Sequence, residues 1–310
     1  MAEPPLRTHE PLVAVEPDCW RRPALVAAVQ AGGGQVVPAA DATALVWADP
    51  GRPELLPEIV HDGIDWVQLP FAGIEPFIDL LDDSRLWTCG KGVYARPVAE
   101  HVLGLVLAGF RNLGGYARAR SWSAPVGRNL HGARVLVLGA GGIVDELVPL
   151  LAPFGCHLTV LRRTPAPVPG VDVVATLDEL GGHLPDADVV VLALALTDET
   201  IGVIDAAALA TMRSDAWLVN VARGRHVDTD ALVAALQAGA IGGAALDVTD
   251  PEPLPDGHPL WTLDNVIITP HTANTPEMGL ALLAERVGEN VARYAAGAEL
   301  IGPVDLALGY

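Results

Sequence analysis

The chain has 310 residues, half of them hydrophobic, with 32 glycines and 26 prolines, which allows two domains with proper cores built from short elements and tight loops. Acidic residues outnumber basic ones by 38 to 19, and the net charge of −19 argues against nucleic acid and anionic membrane as partners. No apolar run approaches the roughly eighteen residues of a membrane span, and residues 1–17 lack the basic and apolar regions of a secretory signal, so a soluble, cytoplasmic protein is expected.

From Leu12 to about Arg96, apolar runs alternate with short amphipathic segments. Leu12–Val15, Gln35–Val37, Leu45–Trp47, Trp66–Leu69 and Leu86–Cys89 read as strands. Pro23–Gln30, Glu54–Val60 and Glu75–Leu81 read as the helices between them. That order implies a parallel sheet covered on both faces. One loop of this part, Leu69-Pro70-Phe71-Ala72-Gly73-Ile74, follows a strand and opens a helix. Its amides suit a carboxylate; a plain strand-to-helix turn is the alternative. Pro97–Phe110 is apolar nearly all round, a buried helix expected to pass between domains, with His101 as a packed core histidine. Arg111–Arg134 is a polar connector with Trp122 and Leu130 as its anchors. Cys19, Cys89 and Cys156 form no C-x-x-C pair and read as buried thiols in a reducing compartment.

Arg134–Thr164 then reads strand, glycine-rich turn, helix, strand. Val135–Leu138 is a buried strand, Gly139-Ala140-Gly141-Gly142 is the turn, and His157–Leu161 returns to the sheet. Gly139 and Gly141 allow the turn and a close ligand, and the amides of Gly142 and Ile143 open a helix whose positive end suits a pyrophosphate. The G-x-G-x-x-G pattern is broken by Val144, expected to push the helix outward or force repacking. Pro149 removes a backbone donor and is expected to kink that helix. An acid gripping a ribose hydroxyl belongs about twenty residues on; Arg162 stands there, followed by Arg163 and Thr164. These three suit a 2′-phosphate and favour NADP over NAD, the alternative being a solvated arginine pair.

Strands at Asp188–Leu194, Trp217–Val221, Gly243–Leu246 and Val266–Thr269 continue the alternation, with helices Ala206–Met212, Thr229–Ala238 (capped by Asp228) and a long one from about Pro276 to Ala296. Ligands of a doubly wound sheet bind outside the carboxyl ends of its strands, which also brings Thr197 and Ala222 to the cofactor. Three such loops carry reactive residues. Arg223 leaves one strand end, Glu252 sits between two prolines in the next loop, and His271 follows the last strand. In this set His271 exchanges a proton with a hydroxyl or carbonyl, Glu252 stabilises the imidazolium, and Arg223 holds a carboxylate and polarises the adjoining carbonyl. No metal site is expected.

Val219-Asn220-Val221-Ala222-Arg223-Gly224-Arg225-His226-Val227-Asp228, then Gly243-Ala244-Ala245-Leu246-Asp247-Val248 with Glu252-Pro253-Leu254-Pro255, then Asn265-Val266-Ile267-Ile268-Thr269-Pro270-His271 resemble the D-isomer-specific 2-hydroxyacid dehydrogenases, in particular glyoxylate and hydroxypyruvate reductases. The tail Val304-Asp305-Leu306-Ala307-Leu308-Gly309-Tyr310 is similar to family endings. The resemblance implies two doubly wound parallel-sheet α/β domains with a cleft between them. A flavodoxin-like substrate domain would comprise residues 1–97 and 277–310, and a Rossmann cofactor domain residues 98–276. It further implies a homodimer, catalytic roles for Arg223, Glu252 and His271, and Asp247 on the nicotinamide carboxamide. Ala72, Gly73 and Ile74 match the family's substrate-carboxylate loop, and Phe71 and Tyr94 would shape the pocket. The expected activity is NAD(P)-dependent reduction of a small 2-oxo acid to the D-2-hydroxy acid, and the reverse, with NADPH preferred. The alternatives are a dinucleotide-sensing, corepressor-like binding protein and a paralogue with impaired cofactor binding.

Overall fold

The computed structural model describes residues 10–306; residues 1–9 and 307–310, including the end of the family-like tail, lie outside the described residues. In chain order it carries β1 (Leu12–Glu16), α1 (Arg22–Ala31), β2 (Gln35–Val36), β3 (Ala44–Trp47), α2 (Leu56–Ile59), β4 (Trp66–Gln68) and β5 (Leu86–Thr88). There follow α3 (Ala95–Phe110), α4 (Leu113–Arg118), β6 (Arg134–Leu138), α5 (Gly142–Leu151), β7 (His157–Leu161), β8 (Val173–Ala175) and α6 (Leu180–His183). The rest are β9 (Val189–Leu192), α7 (Ala206–Thr211), β10 (Trp217–Asn220), α8 (Thr229–Gln237), β11 (Gly243–Leu246), β12 (Val266–Ile268) and α9 (Pro276–Ala295). They divide into two compact units, Met1–Tyr94 with Thr275–Tyr310, and Ala95–Asn274. None of the described helices is long and apolar enough to cross a membrane.

The first unit holds a five-stranded, wholly parallel sheet in the order β2-β1-β3-β4-β5, the flavodoxin-like arrangement. Alternation along β1 serves two cores. Val13 and Val15 pack with Leu25 and Val29 of α1 and Val287 and Val291 of α9, whereas Ala14 faces Leu45, Trp47 and Leu69. Each fully buried Leu or Val here contributes about 1.5–3 kcal/mol from burial. The stretches expected as helices at Glu54–Val60 and Glu75–Leu81 differ in kind. The first is a 3-10 turn followed by the four-residue α2, and the second is entirely a 3-10 helix. In the first stretch Pro57 lacks the N–H that would bond back to the Pro53 carbonyl, so the two turns cannot run as one α-helix.

The second unit is a seven-stranded parallel sheet, β12-β11-β10-β9-β6-β7-β8. This is the Rossmann order with one further strand, and the order reverses between β6 and β9. Val135 and Val137 face one core and Leu136 and Leu138 the other. Val144 is fully buried in the first of these, with Ala99, Val102 and Val106 of α3. It is a core residue of the α3–α5 packing, and α5 runs unbroken through Pro149 to Leu151 before tightening into a 3-10 turn.

Three sequence expectations are corrected. Trp122 is fully exposed and anchors nothing among the described residues, whereas Leu130 is buried and α4 occupies part of the supposed connector. Only Cys89 is a buried thiol, Cys19 and Cys156 being half-buried. His101, expected as packed core, is half-buried and hydrogen-bonds Thr269 Oγ1 at 3.0 Å.

Candidate active site

The cofactor side of the site starts at the turn after β6. Gly139 has φ +110, and a Cβ on it would lie 2.2 Å from the Ala193 carbonyl oxygen after β9, so only glycine lets the two central loops approach. Gly141 is different: a Cβ there would meet nothing within 4 Å, and the residue is exposed. The amides of Gly141, Gly142 and Ile143 have no acceptor among the described residues. An open cradle with free N–H groups at the start of a ten-residue helix fits a dinucleotide pyrophosphate. At the end of β7, Arg162 is half-buried, while Arg163 and Thr164 are exposed. No partner accepts from the Arg162 side chain among the described residues.

The loop after β9 is fixed from behind. The Thr197 amide donates to Thr200 Oγ1 at 2.8 Å, and that hydroxyl reaches the Ala195 carbonyl at 2.9 Å. His226, fully buried, places Nδ1 3.0 Å from the Thr200 carbonyl and Nε2 3.3 Å from that of Leu194. The sequence quoted His226 only as part of a motif; its neighbours lie 26 and 32 residues away in the chain, so no local pattern signals the brace.

After β10, the buried side chain of Asn220 shapes the turn that presents Arg223. Its Nδ2 donates to the Arg223 carbonyl at 2.9 Å, and its Oδ1 accepts from the Ala222 amide at 3.0 Å. Arg223 Nη1 donates to the Ala222 carbonyl at 2.7 Å, with Ala222 itself buried. The turn abuts the next loop at Gly224, where a Cβ would lie 2.0 Å from the Thr249 carbonyl. Arg223 is thereby set beside the loop that carries Glu252.

His271 and Glu252 are brought together. His271 Nδ1 lies 2.7 Å from Glu252 Oε1, with both side chains about half exposed. A carboxylate only accepts, so Nδ1 carries the hydrogen and Nε2 is left for a ligand. His271 has the left-handed φ of 52, and its amide donates to the Asp247 carbonyl at 2.8 Å. That conformation carries strain, which these tertiary bonds hold in place.

Asp247, 2% exposed, lies behind them. Its carboxylate accepts from Thr269 Oγ1 at 2.6 Å and from the amides of Thr272 and Ala273 at 2.8 and 3.1 Å. His101 Nε2 lies 3.0 Å from Thr269 Oγ1 and 3.4 Å from Asp247 Oδ1. Burial pushes the Asp247 carboxyl up, but hydrogen bonding with His101, Thr269 and the two amides more than offsets it and holds the group below its ordinary range. Nearby, Asn274 Oδ1 is buried with no hydrogen-bond donor among the described residues.

In the first unit, the loop after β4 has its carbonyls tied inward. Gln68 Nε2 donates to the Leu69 carbonyl at 2.8 Å, Tyr94 to that of Pro70 at 2.6 Å and the Gly90 amide to that of Phe71 at 2.9 Å. A trans peptide aims its C=O and N–H in opposite directions, so the Phe71 and Ala72 amides are turned away from those partners. The amides of Phe71, Ala72, Gly73 and Ile74 have no acceptor among the described residues. Ile74 is buried, while Phe71 and Ala72 are exposed.

The profile of the family "D-isomer specific 2-hydroxyacid dehydrogenase, NAD binding domain" matches residues 103–273. A Corynebacterium melassecola protein of the proB 3'region is 40% identical over 304 residues, covering 95% of this chain and 98% of that protein. Glyoxylate/hydroxypyruvate reductase A of Citrobacter koseri is 30% identical over 279 residues, 86% of this chain and 87% of that protein. Among solved structures, a D-isomer specific 2-hydroxyacid dehydrogenase from Xanthobacter autotrophicus Py2, in complex with NADPH and MES, superposes with a TM-score of 0.84 at 30% identity. It covers 97% of this chain and 100% of that one. The chain belongs to the D-isomer specific 2-hydroxyacid dehydrogenase family, and its middle segment is the family's NAD-binding domain. It is an oxidoreductase of the nicotinamide-dinucleotide-dependent class.

Proposed function

We propose that this protein reduces a small 2-oxo acid to the D-2-hydroxy acid, and catalyses the reverse, with NADPH preferred over NADH. The observation that carries the reading is the 2.7 Å contact between His271 Nδ1 and Glu252 Oε1, which orients the ring and leaves Nε2 for the reacting oxygen. When bound, the nicotinamide supplies hydride to the carbonyl carbon. His271 Nε2–H is donated to the carbonyl oxygen as negative charge develops there, and Glu252 offsets the positive charge of the imidazolium. In the reverse direction neutral Nε2 takes the hydroxyl proton. Arg223 grips the substrate carboxylate and polarises the adjoining carbonyl.

The free amides of Ala72, Gly73 and Ile74 are a receiver for a substrate carboxylate. Gly139, Gly141, Gly142 and Ile143 hold the pyrophosphate, Thr197 and Ala222 line the cofactor loops, and Asp247 takes the nicotinamide carboxamide. Arg162, Arg163 and Thr164 receive the 2′-phosphate, a reading supported by the NADPH complex of the Xanthobacter relative. The unit built from the N-terminal segment and α9 is the substrate domain, and the Rossmann unit the cofactor domain. A cytoplasmic homodimer is the family's implication for the assembly.

The test is to incubate the protein with NADPH and glyoxylate, hydroxypyruvate, pyruvate and longer 2-oxo acids, and to resolve the chiral products. A D-2-hydroxy acid is expected. An L-product, or no reduction of any 2-oxo acid, overturns the reading.

A further inference from the structure

Arg21 sits in the loop between β1 and α1, at the same carboxyl edge of the five-stranded sheet as the loop after β4. Its guanidinium carbon lies 4.9 Å from the centre of the Trp20 ring and 5.5 Å from that of Phe71. Phe71 meets Tyr94 edge-on at 6.0 Å and 69°, and Tyr94 in turn braces the Pro70 carbonyl. These aromatic contacts hold the guanidinium while using none of its N–H donors.

No carbonyl or carboxylate among the described residues accepts from Arg21, although the chain carries 38 acids. Other arginines are paired: Arg52 with Asp49, Arg85 with Asp82, Arg213 with Asp215 and Arg293 with Glu289. Arg21 is half-buried as a residue. A planar cation held against aromatic rings with its N–H fork unused is built to receive a carboxylate. A second cation acts on the same spot. Arg21 and Arg286 both lie close enough to Tyr94 to pull its phenol downward against the larger effect of burial, which holds it well above its ordinary range.

We propose that Arg21 binds the distal carboxylate of a 2-oxo dicarboxylic acid whose first carboxylate is held at the amides of residues 71–74. The proposal rests on the substrate-loop reading above. Phe71 links the two points, because its backbone belongs to the loop and its ring carries the guanidinium. The guanidinium and the loop amides thus both adjoin Phe71. An aliphatic tail offers no acceptor to the Arg21 fork, whereas a distal carboxylate does.

The experiment compares two substrates of equal chain length, 2-oxoglutarate and 2-oxopentanoate, which differ in the distal carboxylate. The ratio of their kcat/KM values is measured for the wild type, Arg21→Gln and Arg21→Lys. The wild type is expected to favour 2-oxoglutarate, and Arg21→Gln to lower the ratio by roughly 10- to 100-fold, the worth of a hydrogen bond to a charged group. Arg21→Lys, which keeps the charge and loses the fork, should restore part of it. A wild type that favours 2-oxopentanoate, or a ratio unmoved in Arg21→Gln, overturns the proposal while leaving the reductase reading intact.

If no 2-oxo acid is reduced at all, the reductase reading fails and Arg21 is judged by binding alone. Glutarate is then titrated against tryptophan fluorescence, to which Trp20 contributes. Saturable binding lost in Arg21→Gln upholds the anion site, and its absence in the wild type removes it.

Discussion

His101 meets Asp247 across the second unit: the imidazole Nε2 lies 3.4 Å from a carboxylate oxygen that is withdrawn from solvent. A buried carboxylate pays heavily for each lost donor. His101→Leu is expected to lower stability by about 1–3 kcal/mol and to weaken dinucleotide binding several-fold. Unchanged melting and unchanged dinucleotide affinity in that variant would show the contact to be idle. The pH dependence has a definite sign. The Asp247 carboxyl is held below its ordinary range, so its contribution is present above that range and lost as pH falls through the depressed value. Melting curves of Asp247→Asn should therefore lack part of the acid-side loss of stability, and an identical acid limb contradicts this.

Arg162 is expected to set cofactor choice. A half-buried guanidinium at the end of β7 favours a 2′-phosphate by a charge-assisted hydrogen bond. Arg162→Gln should weaken NADPH binding by roughly 10- to 100-fold, with NADH affinity within about threefold of the wild type. Equal losses for both cofactors in a fluorescence titration contradict the assignment.

Val144 tests whether the broken glycine pattern marks an impaired cleft. The side chain is fully buried in the packing of α3 against α5. Val144→Gly removes that packing and adds a glycine to a helix, at a cost of about 2–4 kcal/mol. Lower melting temperature with no gain in NADPH affinity is expected. A marked rise in affinity or turnover would instead favour a cofactor site disabled in the natural chain.

Gly224 is expected to tolerate no side chain. A Cβ at 2.0 Å from the Thr249 carbonyl requires backbone movement on the loop that leads to Glu252. Gly224→Ala should destabilise by more than about 2 kcal/mol and reduce turnover in whatever folds. Wild-type melting and turnover would show that the two loops are free to separate.

The chemistry of the site was legible in the sequence where it follows strand ends. Apolar runs such as His157–Leu161 and Gly243–Leu246 coincide with β7 and β11, so the loops after them were identifiable from periodicity. β8, three residues after a proline-rich stretch, was too short to register. What stayed hidden is long-range. His101 looks like any polar residue on a buried helix until Thr269, 168 residues on, is placed beside it. Trp122 shows the converse, because a large aromatic in a connector suggests an anchor, and only the fold reveals it standing in solvent.

His271 is expected to move the proton. Turnover of NADPH with a 2-oxo acid is measured for the wild type and for His271→Asn, alongside NADPH affinity by fluorescence. Loss of general acid catalysis predicts a fall in kcat of about 10²- to 10⁴-fold with NADPH affinity nearly unchanged. Wild-type turnover in a folded, NADPH-binding His271→Asn protein would contradict it.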